Sequence, residues 1–280
     1  MQRSDYQPLI DAALTEDLGQ TGDVTTSALF TAEMLEAQLV SKDTGVLAGS
    51  ELFAAVFQTV DAQTTVAFHH DEGARLEPGT TVADLRGRAT SVLCAERVAL
   101  NFLGFLSGIA TAARGCVDEA ARGGNAVILD TRKTLPGFRV LSKYATTVGG
   151  AKNHRMGLYD MVLLKDNHID RAGSITAAVA RVRERWGSSY RIEVECRTLD
   201  EAREAKGLRV DMIMLDNMSV ESMREAVRLC AGEPMLEASG NMTRERIREV
   251  SATGVDAISI GSLTHSVRSF DFSLQTGTVR

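Results

Sequence analysis

The amino-acid sequence predicts an α/β fold, with a small α+β domain at the N-terminus followed by a compact βα barrel. Three observations support this prediction. From about residue 125 onward, short apolar runs alternate with helix-like segments; the later runs recur about every 21–22 residues; and the first hundred residues lack this rhythm. Mostly apolar strands that alternate with helices indicate a parallel sheet covered by helices. The short repeat favours a barrel over an open, doubly wound sheet.

Length and composition limit the class of protein. The chain has 280 residues, 44% of them hydrophobic, and a formal net charge of −6. This length allows two domains or one large barrel, and the hydrophobic fraction excludes a disordered chain. A mildly acidic chain without a Lys/Arg-rich run argues against a nucleic-acid partner. An anionic small substrate is still compatible with it, because positive side chains can cluster locally.

The N-terminal region predicts one helix followed by short strands. A helix-like segment covers residues 8–18, and strand-like segments cover residues 37–40 and 65–68, with glycines and a proline between them. We place the domain boundary inside an apolar helix, which gives an N-terminal domain of residues 1–104 and a barrel domain of residues 105–264. Residues 265–280 are expected to pack back on the N-terminal domain.

The longest apolar stretch, residues 98–113, predicts a buried helix and no membrane span. It lies between Arg97 and Arg114 and has only 16 residues, whereas a helix that crosses a bilayer needs about 20. The N-terminus lacks the apolar segment of a secretory signal, and the four cysteines form no CxxC pair. We therefore expect a cytoplasmic protein with no membrane partner.

Six apolar runs in the second half predict the barrel strands. They cover residues 126–129, 161–164, 192–194, 212–215, 235–236 and 257–260. Helix-like segments between them cover residues 174–186, 198–206 and 243–251, and the second opens with a capping box formed by Thr198 and Glu201. Neither GxGxxG nor GxxxxGK[ST] occurs, which disfavours a Rossmann or P-loop protein.

Charged residues follow these runs, where a βα barrel has its active site. The basic residues are Arg132, Lys133, His154, Arg155 and Lys165, and the carboxylates are Glu195 and Asp216. Taken singly, each lysine or arginine could be an ordinary solvated loop residue, and His154 could be structural. Together, the basic groups repel one another unless an anion lies among them. The pattern therefore predicts a site for phosphates or carboxylates.

Small-residue turns follow the last two predicted strands. They are Ser239-Gly240-Asn241 and Ser259-Ile260-Gly261. Backbone N–H groups in such turns bind phosphate, and the loops after the last strands are the usual place for it in a barrel. Either turn alone could be an ordinary tight connection. With a phosphate bound there, Glu195 and Asp216 could hold ribose hydroxyls or a Mg²⁺ ion that bridges to pyrophosphate.

At these residues the chain closely resembles the quinolinate phosphoribosyltransferase family. The resemblance runs in order through almost the whole chain, from Glu16-Asp17-Leu18-Gly19 to Gly254-Val255-Asp256. Its most specific motifs are Asp130-Thr131-Arg132-Lys133, Asn153-His154-Arg155-Met156-Gly157-Leu158, Lys165-Asp166-Asn167-His168, Leu215-Asp216-Asn217 and Glu237-Ala238-Ser239-Gly240. One departure is Thr146-Thr147-Val148, which stands where many members have Arg-Cys.

The resemblance implies an N-terminal α/β sandwich domain and an incomplete, seven-stranded α/β barrel. It implies a homodimer with shared active sites, or a hexamer as the larger alternative, in which Arg97 completes the partner's site. The implied substrate-binding residues are Arg97, Thr131, Arg132, Lys133, His154, Arg155, Lys165, Glu195, Asp216, Ser239, Gly240, Asn241, Ser259, Ile260 and Gly261. Lys133, Lys165, Glu195 and Asp216 are the implied catalytic residues, and the last two are the implied Mg²⁺ ligands.

The reaction implied by the family joins quinolinate to phosphoribosyl pyrophosphate. The products are nicotinate mononucleotide, pyrophosphate and CO₂. Three alternatives stay open from the sequence: a phosphoribosyltransferase that uses nicotinate, a Schiff-base aldolase with Lys165 as nucleophile, and a non-catalytic homologue or a paralogue associated with molybdate transport. The doubled set of basic groups favours a dicarboxylate, and therefore quinolinate.

Overall fold

The structure is a computed structural model of the chain and describes residues 1–276. The chain divides into two compact units. The first contains residues 1–112, residues 135–150 and the chain from residue 266 onward, and the second contains residues 113–134 and 151–265. The predicted α/β class with a separate N-terminal sheet is confirmed.

The first unit is an antiparallel sheet with helices. Its strands are β1 (Met34–Ser41), β2 (Gly45–Val46), β3 (Thr65–Phe68), β4 (Arg75–Leu76), β5 (Thr81–Arg88) and, near the C-terminus, β12 (Phe272–Thr276). Its helices are α1 (Arg3–Leu18), α2 (Thr26–Leu29), α3 (Ser50–Val60), the first part of α4 (Ala89–Gly123) and α5 (Arg139–Val148). The main sheet has the order β12-β1-β5-β3. Fully buried Leu39, Phe53, Phe57 and Leu103 lie in its core.

Helix α1 begins at Arg3, earlier than the predicted start at residue 8. The side chain of Gln2 and the carboxylate of Asp5 form a reciprocal capping box, in which the Gln2 backbone N–H donates to Asp5 at 2.9 Å. This arrangement satisfies backbone groups that would otherwise be open at the helix start. Strand β3 has the predicted bounds, and the predicted segment 37–40 lies within β1.

The apolar stretch predicted as a buried helix is part of α4, which is 35 residues long. By length and composition alone this helix could cross a membrane, but 67% of its most apolar stretch is buried within the protein. At Gly108 an added Cβ would lie 2.2 Å from the carbonyl oxygen of Arg268. The missing side chain therefore lets the C-terminal segment pass close to α4, on its way to strand β12 beside β1. Residues 277–280 of that predicted segment lie outside the described residues.

The second unit is a parallel sheet with helices between its strands. Its strands are β6 (Val127–Leu129), β7 (Val162–Leu164), β8 (Ile192–Cys196), β9 (Met212–Asp216), β10 (Met235–Ser239) and β11 (Ala257–Ser259). Its helices are α6 (Asp166–Ala172), α7 (Ile175–Trp186), α8 (Leu199–Gly207), α9 (Val220–Cys230), α10 (Arg244–Ser251) and α11 (Ser262–His265), together with the end of α4. The strand order is β6-β11-β10-β9-β8-β7, with every pair parallel.

Six strands form this sheet, and the expected seventh is reduced to one isolated bridge between Lys152 and Leu129. The backbone of Lys152 donates to Ile128 and accepts from Asp130, at 2.8 and 3.1 Å. The Asp130 side chain then accepts the backbone N–H of His154 at 2.9 Å. This side-chain contact takes the place of further ladder bonds, so the chain leaves the sheet after one residue.

Hydroxyl side chains set the starts of the helices on this sheet. Ser174, Thr198, Ser219 and Thr243 each accept a backbone N–H three residues further on, which is the usual role of an N-cap residue. The last three caps each end a short loop that begins at the carboxyl end of a strand, whereas Ser174 follows helix α6. Because all six strands are parallel, these loops meet at one edge of the sheet.

Candidate active site

A cavity of about 880 Å³ opens at the carboxyl edge of the parallel sheet, within the second unit. Fourteen of the fifteen predicted substrate-binding residues line it. They are Thr131, Arg132, Lys133, His154, Arg155, Lys165, Glu195, Asp216, Ser239, Gly240, Asn241, Ser259, Ile260 and Gly261. The fifteenth, Arg97, is an exposed residue of α4 in the first unit, and its role stays a prediction.

Lys165 lines the cavity and is positioned by two contacts, one from its backbone N–H and one from its charged side chain. Its backbone N–H donates to Nδ1 of His168 at 3.0 Å, which caps helix α6. Its Nζ lies 3.4 Å from Oε2 of Glu195, a carboxylate that is 11% exposed. His168, quoted above as part of a motif, thus acts on the backbone, while Lys165 and Glu195 face the cavity as a pair of opposite charges.

Arg155 is almost buried, with 9% of its surface exposed. Its Nη1 donates to the carbonyl oxygen of Met161 at 2.9 Å. Burial, followed by the positive charge of Arg132, lowers the pKa of Arg155. Both causes act against the charged guanidinium, and an anion in the cavity relieves the second.

Lys133 follows β6 and is anchored through its backbone. Its N–H donates to Oγ1 of Thr131 at 3.1 Å, and its carbonyl oxygen accepts the hydroxyl of Thr264 at 2.7 Å. Thr264 is buried in α11, after the last strand. These contacts tie the loop after β6 to the loop after β11, which is its neighbour in the sheet.

Two buried carboxylates that the sequence analysis left out of the site lie behind His154. Nε2 of His154 is 3.1 Å from a carboxylate oxygen of Glu193 and 3.3 Å from one of Glu237, and both glutamates are fully buried. Strand alternation could have placed them: Glu193 is two residues before Glu195 on β8, and Glu237 two before Ser239 on β10, so each shares the inner face of its strand with a predicted residue.

The charge of this cluster follows from its surroundings. Burial by itself lowers the pKa of His154, but hydrogen bonds and charge attraction from Glu193 and Glu237 outweigh it and raise the pKa to about 10. The other ring nitrogen, Nδ1, accepts the backbone N–H of Arg155 at 2.7 Å, which favours the neutral ring. A neutral hydrogen bond contributes about 1 kcal/mol and one to a charged group about 1.5–3 kcal/mol. A proton therefore stays on Nε2 in either state of the ring, and the charged ring, which the carboxylates favour, gives up the Nδ1 contact.

Two sets of side chains in the described residues can be compared as ligands for a cation. The ligand atoms of His154, Glu193 and Glu237 lie within 4.8 Å of one another, but with a proton on Nε2 the imidazole has no lone pair to offer a cation on that side. Glu195 and Asp216 instead line the cavity with carboxylate oxygens, the ligands that Mg²⁺ prefers. The donor chemistry of Glu195 and Asp216 therefore fits the Mg²⁺ predicted from the sequence.

The loop after β10 contains two successive residues with a left-handed backbone. Gly240 has φ +98° and Asn241 has φ +48°. Both residues line the cavity. Asn217, Met242, Thr243, Ser262 and His265 also line the cavity, and none of the five was predicted.

Fold and site together define the class of protein. A parallel βα domain with a basic cavity at its carboxyl edge, two carboxylates across from it and two small-residue loops after the last strands is the design of α/β-barrel enzymes that act on phosphorylated anions. Two family models match the chain: the quinolinate phosphoribosyl transferase N-terminal domain over residues 23–107 and the C-terminal domain over residues 109–275.

Individual relatives agree with the family models. The chain is 40% identical to a probable nicotinate-nucleotide pyrophosphorylase (carboxylating) of Bacillus subtilis, over 98% of this chain and 94% of that protein. It is 41% identical to the chloroplastic nicotinate-nucleotide pyrophosphorylase (carboxylating) of Arabidopsis thaliana, over 98% and 83%. The crystal structure of NadC from Streptococcus pyogenes superposes with a TM-score of 0.95 at 40% identity, over 98% and 97%. The chain belongs to the quinolinate phosphoribosyltransferase family.

Proposed function

We propose that this chain transfers the phosphoribosyl group of phosphoribosyl pyrophosphate to quinolinate, with loss of CO₂, to give nicotinate mononucleotide for NAD biosynthesis. The observation that carries the proposal is the cavity, in which five basic side chains face two carboxylates within a fold shared with the relatives named above. A dicarboxylate and a pyrophosphate are the kinds of anion that so much positive charge attracts.

The dicarboxylate belongs on the basic side of the cavity. Arg132 and Arg155 offer planar, bidentate groups that match carboxylate geometry, and Lys165 and Thr131 lie at the same edge. His154 has both ring nitrogens engaged within the protein, so it serves as a charged wall of this subsite. The doubled basic groups select two carboxylates over the single one of nicotinate.

The phosphoribosyl group belongs on the opposite side. The 5′-phosphate lies against the Ser239–Asn241 and Ser259–Gly261 loops, and Glu195 and Asp216 orient the ribose hydroxyls. The same two carboxylates would hold Mg²⁺, which when bound stabilises the negative charge of the leaving pyrophosphate. Lys133 and Lys165 add positive charge for that leaving group.

The chemistry needs no covalent intermediate with the enzyme. The bond from ribose to pyrophosphate breaks as the pyridine nitrogen bonds to the sugar, and Glu195 and Asp216 favour the positive charge that develops at the ribose. The C2–carboxylate bond then breaks and CO₂ leaves, while its electron pair stays at C2 next to the positively charged ring nitrogen. A proton from solvent binds to C2 and gives nicotinate mononucleotide. Holding both substrates in line supplies much of the rate.

The assembly we propose is a homodimer in the cytoplasm. In it, Arg97 of one subunit completes the dicarboxylate site of the other. The exposed position of Arg97 on α4 is compatible with this role. All four cysteines are free thiols, as expected for a reducing compartment.

The test is an assay with phosphoribosyl pyrophosphate and Mg²⁺ that follows CO₂ and nucleotide formation from quinolinate, with nicotinate in parallel. Turnover of quinolinate alone supports the proposal. Turnover of nicotinate alone, or of neither substrate, contradicts the proposed reaction. Trapping of a carbonyl substrate on Lys165 by borohydride would instead favour a Schiff-base enzyme.

Removal of a basic group should impair turnover sharply without unfolding the chain. We expect Arg132→Ala and Lys165→Ala each to lower kcat/KM for quinolinate by about 10- to 150-fold, since a charged hydrogen bond to a buried anion contributes about 1.5–3 kcal/mol. Exposed Arg181→Ala on α7 and Lys42→Ala in the first unit are the matched controls. Near wild-type turnover in either site variant would remove that residue from the site.

A further inference from the structure

Asn217 stands at the point where strand β9 ends and the cavity begins. It follows Asp216, adopts a left-handed backbone with φ +53°, and lines the cavity. Its backbone N–H donates to the carbonyl oxygen of Ser239 at 3.0 Å, so the β9–β10 pairing continues one residue beyond the strand. This backbone position sends the Asn217 side chain back over the cavity edge, between Asp216 and the loop after β10.

The amide of Asn217 contacts the neighbouring carboxylate. Its Nδ2 donates to Oδ2 of Asp216 at 2.8 Å. A hydrogen bond from a neutral donor to a carboxylate limits the rotation of that carboxylate and occupies one of its two oxygens. Asp216 is thus held in one orientation before any substrate arrives.

The same amide also contacts the loop after β10. Its Oδ1 accepts Nδ2 of Asn241 at 3.4 Å. A Cβ built on Gly240 would lie 2.1 Å from that Oδ1, so the amide of Asn217 lies directly against the Gly240 backbone. Only a residue without a side chain fits beneath it.

Few other side chains could make both contacts from this position. An amide has a donor for Asp216 and an acceptor for Asn241, whereas aspartate would place a second negative charge beside Asp216. Asparagine is also the residue, after glycine, that best tolerates a left-handed backbone. The chemistry of the side chain and the backbone conformation therefore point to the same residue type.

We propose that Asn217 is a positioning residue that couples the Asp216 carboxylate to the Ser239–Asn241 loop. Through this coupling the ribose and metal side of the cavity and its phosphate loop form one preformed surface for phosphoribosyl pyrophosphate. The inference rests on the proposed function, in which these two elements bind that substrate. Asn217 acts through Asp216 and the loop, and the quinolinate side of the cavity does not depend on it.

The experiment compares three substitutions at this position. Asn217→Gly keeps the left-handed backbone and removes the amide, Asn217→Ala removes the amide and strains the backbone, and Asn217→Asp keeps the shape but adds a negative charge. Asn125→Ala, at an exposed asparagine before β6, is the matched control. KM for each substrate is measured, and binding of phosphoribosyl pyrophosphate with and without Mg²⁺ is measured by calorimetry in the absence of quinolinate.

We expect Asn217→Gly to raise both KM and the dissociation constant for phosphoribosyl pyrophosphate about 10-fold, which corresponds to about 1.4 kcal/mol. Asn217→Asp should raise them further, because its carboxylate repels Asp216 and the pyrophosphate alike. KM for quinolinate and the melting temperature should stay near those of the wild-type chain and of Asn125→Ala. A purely structural role would not separate the two substrates in this way.

Two results would overturn the inference. One is an Asn217→Gly variant that binds phosphoribosyl pyrophosphate as tightly as the wild-type chain. The other is an equal loss for both substrates, which would indicate general disruption of the cavity. Failure of the proposed function looks different: the wild-type chain itself would then fail to turn over quinolinate with phosphoribosyl pyrophosphate.

Discussion

At the scale of single residues, the basic side chains that face the cavity are oriented by other groups of the protein, most of them buried. Arg155 is fixed by the carbonyl oxygen of Met161, and His154 by the buried carboxylates of Glu193 and Glu237. Fixed side chains lose little freedom when a substrate arrives, so more of their interaction energy appears as binding. The buried carboxylates also offset part of the repulsion among the basic groups while the cavity is empty.

Substitution of Gly240 should affect the binding of phosphoribosyl pyrophosphate specifically. In Gly240→Ala the new methyl group would meet the Asn217 amide at 2.1 Å, at a φ of +98°. We expect a rise of about 10-fold or more in KM for phosphoribosyl pyrophosphate. The loop must move to relieve the clash, and this adds a free-energy cost to the roughly 1–2 kcal/mol of strain that a left-handed alanine has by itself. Initial rates with the other substrate saturating measure this.

Gly232 provides the matched control for this prediction. It has almost the same backbone, with φ +97°, but no atom lies within 4 Å of an added Cβ. Gly232→Ala should therefore lose some stability and leave KM unchanged. In an Asn217→Gly background the methyl group of Gly240→Ala has no amide to meet, so the added effect on KM should disappear; an effect that persists would contradict the steric explanation.

At the scale of elements, local signals predicted the bounds of α7, α8 and α10 closely, whereas α3, α5 and α9 and the ends of the sheet were not predicted. Thr198 caps α8 as the sequence indicated, because a cap is read from a few adjacent residues. The sequence could not show that the expected seventh strand is only a single bridge. The contact between Asp130 and the backbone of His154 takes the place of that strand, and it joins residues that are far apart in sequence. The capping box of Gln2 and Asp5 was local but was overlooked, because glutamine is an unusual cap.

Helix α3 depends on a carboxylate outside the helix. Glu72 accepts the backbone N–H groups of Gly49 and Ser50 at 2.5 and 3.1 Å, and Tyr144 donates its hydroxyl to Glu72 at 2.8 Å. We expect Glu72→Ala to lower the free energy of unfolding by about 1–2 kcal/mol, the usual cost of losing a helix cap. Burial, and next the charge of Glu72, raise the pKa of Tyr144, so the same substitution should lower that pKa.

Urea unfolding and spectroscopic titration of the tyrosines measure the two effects. Asp71→Ala changes the exposed carboxylate next to Glu72 in sequence and is the control. Glu72→Gln should fall between the wild-type chain and Glu72→Ala, because its amide oxygen can still accept an N–H. Equal stability of all four proteins would show that α3 does not need this cap.

At the scale of the whole molecule, most of the site residues could be predicted because the fold brings the ends of the parallel strands together. Residues such as Lys165 and Asp216 follow parallel strands, and the carboxyl ends of parallel strands meet at one edge. Strand alternation could place Glu193 and Glu237 on the inner faces of their strands, but the roles of these residues and of Asn217 were missed, because each acts on another side chain and such contacts leave no signal in the sequence. Their positions need the register of the strands.

The contribution of His154 to the stability of the chain should fall as pH rises from about 6.5 to 8.5. The pKa of His154 is raised to about 10 in the folded chain, against about 6.5 when unfolded. A raised pKa means that the folded state holds the proton more tightly, so its contribution is complete below pH 6.5 and is lost as pH approaches 10. The slope from this group is at most about 1.4 kcal/mol per pH unit.

Urea unfolding of the wild-type chain and of His154→Gln at pH 6.5, 7.5 and 8.5 measures this slope. The range ends below pH 9.0, the ordinary pKa of a cysteine thiol. Burial raises the pKa of Cys116 to about 11, so titration of this thiol affects stability mainly above the range. The variant should be less stable at pH 6.5 and should lack most of the decline. Parallel curves for the two proteins would contradict a proton held by this cluster.

The pairing of β1 with β12 has a consequence for how the chain is made. Ala37 lies beside Thr276, so β1 can pair early with β5 but gains β12 only after more than two hundred further residues have been made. At about 5–20 residues per second, that delay is roughly 10–50 s. For this time one edge of β1 has no partner strand within the chain and could pair with another nascent chain.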